Sequence, residues 1–168
     1  MKEIAHNLVN LFPHDKQIKV LEIGSGDGGQ LLEFKNLGCD VLGFEPSENL
    51  TQMALSKGIK SIKGLFNEET VKNLPSNNSK FNIVFLSYTF DHLPEPKTFL
   101  STISEILDSN EGLLVIEVHD IRKIFEQKEY CLFEHEHSIY LNENTAYSIL
   151  NEIINYYFEK DKADSDTY

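Results

Sequence analysis

Apolar residues run almost unbroken through Ile18, Val20, Leu21 and Ile23, stop at Gly24-Ser25-Gly26-Asp27-Gly28-Gly29, and resume at helical spacing with Leu31, Leu32, Phe34 and Leu37 before Gly38. A continuous apolar run of that length suits a strand covered on both faces, and the later spacing suits a helix packed against it. The alternation then repeats. Asp40 to Phe44 predicts a second strand, Ser47 caps a helix that runs through Leu55 to Gly58, and Ile59 to Ile62 predicts a short third strand. After the turn-rich Pro75-Ser76-Asn77-Asn78-Ser79, Phe81 to Leu86 predicts the fourth strand; Pro96 opens a helix to Leu107, and Gly112 to Val118 makes the fifth. Ile4, Leu8, Leu11 and Phe12 predict an opening helix broken at Pro13. Past Val118 the pattern loosens, until Ala146, Ile149, Leu150 and Ile153 mark a last helix and Ile154 to Phe158 a strand-like stretch. Strand and helix exchanged in this way predict an α/β fold, a doubly wound and mostly parallel sheet with helices on both faces. Residues 1–158 read as one domain and 159–168 as a charged, frayed tail.

A glycine turn between a buried strand and a helix lets backbone approach a ligand where any Cβ would intrude. The second strand ends in Glu45, placed to accept both hydroxyls of a ribose; the plainer alternative is an exposed strand-end acid. Gly24, Gly26 and Gly29 also satisfy the dinucleotide spacing G-x-G-x-x-G, so the ligand must be chosen by charge. A dinucleotide sets its diphosphate on the amides at this helix N-terminus, beside Glu22 and Asp27. At ~5 Å and an effective dielectric of ~20, each like-charge pair costs on the order of 3 kcal/mol. A cation reverses the sign. S-adenosylmethionine, with a sulfonium, an ammonium and no phosphate, is the nucleoside that an acidic glycine turn favours, so Glu22-x-Gly24-x-Gly26-x-Gly28 reads as a methyl-donor site.

Charge narrows the acceptor as well. The chain of 168 residues carries 15 Lys and Arg against 27 Asp and Glu, a net charge of −12 that repels phosphate backbones and argues against nucleic acid. Lys57, Lys60 and Lys63 read as a solvated edge rather than a basic patch. Cys39 and Cys131, far apart, suggest neither a disulfide framework nor a zinc knuckle, and a reduced cytoplasm is the expected setting. No signal-peptide core and no membrane-length apolar stretch is present.

Together Glu22 to Gly28, Glu45 and Ser87-Tyr88-Thr89-Phe90-Asp91-His92-Leu93-Pro94 resemble a class I S-adenosylmethionine-dependent methyltransferase. Val41-Leu42-Gly43-Phe44-Glu45-Pro46-Ser47-Glu48-Asn49-Leu50, Gly64-Leu65-Phe66-Asn67-Glu68-Glu69 and His135-Glu136-His137 are similar to the C-methyltransferases of nucleotide-linked keto sugars, from about Gln17 to Phe158. The resemblance implies a donor site of Glu22, Gly24, Ser25, Gly26, Gly28, Glu45, Pro46, Leu65, Phe66 and Ser87, with Leu65 and Phe66 flanking adenine; a hydrophobic loop anchor is the alternative for those two. It implies a general base and acid in His137 and Glu136, with His92 second, although a packing role for His92 and a solvated loop for His137 stay open. Where that family has a tyrosine before its His-Glu-His, this chain has Glu134. Two imidazoles with Glu134 or Asp91 are an alternative metal set, but no third ligand stands at a recognisable spacing and no metal is expected.

The expected function is methylation, at carbon or oxygen, of a small-molecule acceptor such as a nucleotide-linked or polysaccharide-precursor sugar. The alternatives are a donor-binding domain without turnover that needs a partner chain, and a dinucleotide-binding reductase fragment. The resemblance also implies a C-terminal hairpin of which only one strand is visible, and flanking segments not seen here, as in a minimal relative or a fragment. An unpaired last strand would favour a homodimer or partner at that edge.

Overall fold

A computed structural model describes residues 2–74, 80–133 and 137–151. Five strands, β1 (Lys19–Ile23), β2 (Asp40–Glu45), β3 (Ser61–Lys63), β4 (Ile83–Ser87) and β5 (Leu113–Glu117), form one sheet in the order β3-β2-β1-β4-β5, every described pairing parallel. Among the described residues, helices α1 (Lys2–Val9), α2 (Gly29–Asn36), α3 (Glu48–Ser56), α4 (Glu68–Lys72), α5 (Pro96–Ile106) and α6 (Ile121–Gln127) join or flank them. A seventh, α7, occupies 143–151. Strand order reverses between β1 and β4, and it is outside the carboxyl ends of strands at such a point that open α/β sheets leave a crevice.

Side-chain alternation along the central strands divides the core. Leu21 and Ile23 of β1 with Val84 and Leu86 of β4 face α5, where Leu100, Ile103 and Ile106 are buried. Val20 with Ile83 and Phe85 faces the other way, onto Ala5 of α1, Leu31 and Phe34 of α2 and Ala54 of α3. Burial on both faces is why these strands read as continuous apolar runs.

Several boundaries differ from expectation for local reasons. Ile59 belongs to the turn before β3: its amide donates to Ala54 O, closing α3, and its side chain is buried. Phe81 precedes β4 and makes only an isolated bridge to Leu107. Because α1 ends at Val9, Leu11 falls outside the apolar stripe and is 68% exposed. Ser47 does cap α3, accepting from Leu50 N, and α4 carries a capping box between Asn67 and Thr70 that the apolar pattern did not signal. The expected strand at 154–158, the tail at 159–168 and the Pro75 to Ser79 turn lie outside the described residues. No described helix is long and apolar enough to cross a membrane.

Candidate ligand and catalytic site

Hydrogen bonds within the protein shape the turn after β1. Gly24 N and Ser25 N donate to Phe44 O (2.9 and 3.0 Å), Gly26 N to Glu45 Oε2 (2.9 Å), Gly28 N to Ser25 O (2.9 Å) and Gly29 N to Asp27 Oδ1 (3.0 Å). Five amides at this helix start therefore already have acceptors, two of them carboxylates. An anion arriving here has to displace those acceptors.

Glycines at this turn do different work. Gly26, at φ +52°, has open space where a Cβ would stand. Gly28, at φ +74°, starts α2, and a Cβ there would lie 3.0 Å from Ala54 Cβ. Ser25 is buried and turned toward β2, where a Cβ on Gly43 would fall 2.3 Å from its Oγ. Gly43 is thus a part of the site that the sequence reading passed over. Its signal was a glycine inside a strand, which marks a close approach.

A cavity of about 1030 Å³ opens beside the turn. Gly24, Gly26, Glu45 and Pro46 line its β2 side, Leu65 and Phe66 its wall, and Ser87 and His92 its β4 side, so eight of the expected residues share one space. Glu45 is buried with its carboxylate fixed in advance: Oε2 accepts from Gly26 N and Oε1 from Ser47 N at 2.8 Å, and each oxygen keeps a lone pair for a further donor. The two wall residues differ. Leu65 is 68% exposed, whereas Phe66 is core, its ring edge-on to Phe44 (5.4 Å) and Phe99 (5.2 Å). Ser87 donates to Glu117 Oε2 at 2.7 Å. Ser25, Gly28 and Glu22 lie behind the cavity rather than along it.

The acidic field has a different composition from the expected pair. Asp27 is turned outward, bonded to Lys57 Nζ at 2.5 Å and to Gly29 N; these two bonds, the lysine's first, hold its pKa below the usual carboxylate range. Its charge is offset, which corrects its assumed part in repelling a diphosphate. Glu22 is 3% exposed, and its Oε2 has no partner among the described residues. Burial first, then the neighbouring Glu117, Asp27 and Glu45, pushes its pKa up to about 8. Acids from three strand ends, Glu22, Glu45 and Glu117, converge here, the last unforeseen because its position emerges only when β5 joins β4.

Beyond His92 lies a group of rings. His92 and His137 are 4.8 Å apart between centroids, His137 and His119 5.5 Å, and His119 and Tyr88 4.6 Å. Asp91, 2% exposed, places Oδ2 3.2 Å from His119 Nδ1 and 3.3 Å from His119 N. The backbone ties the segments together, Ser138 N and Ile139 N both donating to Asp91 O (2.7 and 3.2 Å). His137 therefore sits behind His92 rather than on the cavity wall, with Nδ1 3.1 Å from Leu132 O. Glu136, with Glu134 and His135, lies outside the described residues. His119 was missed: a single histidine at the exit of β5 carries no spacing signal, and only the fold sets it against Asp91.

The whole described region has relatives. Residues 1–153 match the family model described as a methyltransferase domain. C-methyltransferase NovU of Streptomyces niveus is 27% identical over 123 residues, covering 73% of this chain and 29% of its own. The chain spans between 40% and 62% of the other curated relatives it matches. Among solved structures, a SAM dependent methyltransferase from Archaeoglobus fulgidus superposes with a TM-score of 0.70 at 21% identity, over 91% of this chain and 68% of that one. The plantazolicin methyltransferase BpumL in complex with SAH gives 0.65 at 22% identity, over 90% and 61%.

Proposed function

Since the chain belongs to the methyltransferase-domain family, whose donor is S-adenosylmethionine, we propose that it methylates a small-molecule acceptor, a nucleotide-linked or polysaccharide-precursor sugar. The observation that carries the donor half is the glycine turn, five of whose amides are already bonded, one of them to the Glu45 carboxylate at the cavity edge. Such a turn has five fewer amides to offer a diphosphate and gives a ribose diol a fixed acceptor. Gly26 leaves room for the nucleoside, Leu65 and Phe66 supply an apolar wall for a purine, and Glu45 and Glu117 favour a cation, while Glu22, whose burial holds its proton to about pH 8, adds negative charge only when that proton leaves.

When bound, the donor supplies a methyl group on a positively charged sulfur. The protein's share is to align an acceptor atom with that methyl and keep water out, since positioning accounts for most of the barrier lowering in a displacement of this kind. A carbon beside a ketone must also lose a proton. We place that task on His92, the histidine on the cavity wall, ahead of His137, which stands behind it. The sugar class is supported by the resemblance of the motifs around Glu45 and Leu65, and carbon as the methylated atom by a relative named as a C-methyltransferase.

Thermal shift with S-adenosylhomocysteine, NAD and NADP tests the donor. A ligand at a hundred times its Kd adds ~2.7 kcal/mol, and only the first should do so. Stabilisation by NAD alone would end the donor reading. Incubating the chain with labelled donor and a panel of sugar nucleotides tests the acceptor: donor binding without any methylated sugar would refute that class.

A further inference from the structure

We propose that Asp91, His119 and His137 form a binding site for one divalent transition-metal ion at the acceptor end of the cavity. One ligand atom from each residue lies within 4.8 Å of the other two. The trio comes from three separate stretches: the turn after β4, the exit of β5 and the segment leading to α7. Chance clusters of exposed acids are common, but this one is built around a carboxylate that is 2% exposed and whose Oδ1 has no partner among the described residues. A buried carboxylate oxygen without a donor is costly unless something positive completes it.

The histidines are arranged as ligands are. His137 has Nδ1 at 3.1 Å from Leu132 O, which sets the tautomer with hydrogen on Nδ1 and leaves Nε2 as a lone-pair donor. Metal-bound imidazoles are held this way, the second ring nitrogen giving its proton to a carbonyl. His119 Nδ1 stands 3.2 Å from Asp91 Oδ2, close to the ~3.3 Å that separates two ligands of one tetrahedral ion with bonds of ~2.0–2.1 Å. Two imidazoles and one carboxylate suit zinc, iron or nickel and are a poor set for magnesium, which prefers oxygen.

Three protein ligands leave open positions on such an ion. His92 and Tyr88, which line the cavity, pack against His137 and His119, so an acceptor oxygen completes the coordination from the cavity side. That role rests on the proposed acceptor end, whereas metal binding itself does not.

The full chain, stripped by a chelator, should be titrated with Zn²⁺ against a chromophoric competitor and with Co²⁺ by its visible absorption. One ion per chain is expected, with affinity falling at least tenfold in His119→Gln and in His137→Gln and unchanged in His14→Gln, an exposed histidine. Millimolar Mg²⁺ should not compete. No stoichiometric ion, or binding indifferent to the first two substitutions, overturns the site and leaves Asp91 and His119 as a proton-handling pair. If a variant fails to fold, nitrogen-15 spectra of the unsubstituted chain decide: Zn²⁺ must shift ring nitrogens of two histidines, and still rings refute the proposal. S-adenosylhomocysteine binding measured on the same samples separates loss of the metal site from failure of the donor reading.

Discussion

At the scale of single residues, neighbours in sequence have unlike tasks. Leu65 and Phe66 both border the cavity, yet one is mostly exposed and the other is wedged between Phe44 and Phe99. Leu65→Ala should therefore weaken donor binding severalfold with a melting temperature near that of the parent, while Phe66→Ala should cost about 3–5 kcal/mol of stability by chemical denaturation. Glu45→Gln keeps the shape but loses the charge that faces a diol; calorimetry should show donor affinity lower by roughly 10–100-fold, as for hydrogen bonds to a charged group. Unaltered affinity would remove Glu45 from the site. The meeting of Glu45 with the glycine turn was legible in the sequence, because strand, glycine turn, helix and next strand put the two at the carboxyl ends of adjacent parallel strands. Legibility failed for Gly43, His119 and Glu117, whose meaning depends on the opposing strand or loop.

At the scale of elements, the glycine turn shows why a spacing motif is ambiguous. Gly24-x-Gly26-x-Gly28 reports that the backbone comes close to something, without saying whether that is a ligand or another helix. Here Gly26 faces open space and Gly28 faces Ala54 and Ile59. Gly26→Ala should fold with about 1 kcal/mol lost to its positive φ and should lose donor binding. Gly28→Ala adds a clash to that strain and should destabilise by about 1–3 kcal/mol while its folded fraction still binds. Parallel titrations of the two variants check the contrast, and equal binding losses would contradict it. The strands themselves were readable because burial on both faces makes them continuously apolar. Short α4 and the region after β5 were not, since five to seven residues give too little periodicity.

For the whole molecule, sheet order brings three acids to one edge, and the consequence is a pH dependence. Glu22 has a folded pKa of about 8 against a usual 4.5, so the folded chain holds a proton that the unfolded chain gives up between those values. Stability from this group is complete below about pH 4.5 and is lost as pH rises through about 8. With ~1.36 kcal/mol per pKa unit, the full loss is on the order of 4–5 kcal/mol. Glu22→Gln, which mimics the protonated acid, should gain on the parent in urea denaturation at pH 9 and match it near pH 4. A parent whose stability is flat between those limits would contradict the burial of Glu22. The same proton should leave when a cation binds, seen as buffer-dependent heat at pH 7. The alternation of strand and helix foretold the parallel sheet, but not the meeting of Glu22 with Glu117, which lie 95 positions apart in sequence.

Glu45 is held by two main-chain amides before any guest arrives. Docking then asks for no loop to settle, and stopped-flow traces of nucleoside association should be single exponentials whose rate climbs linearly with concentration, without a plateau. A slow, saturating phase would mean that the receptacle is assembled on arrival instead of standing ready.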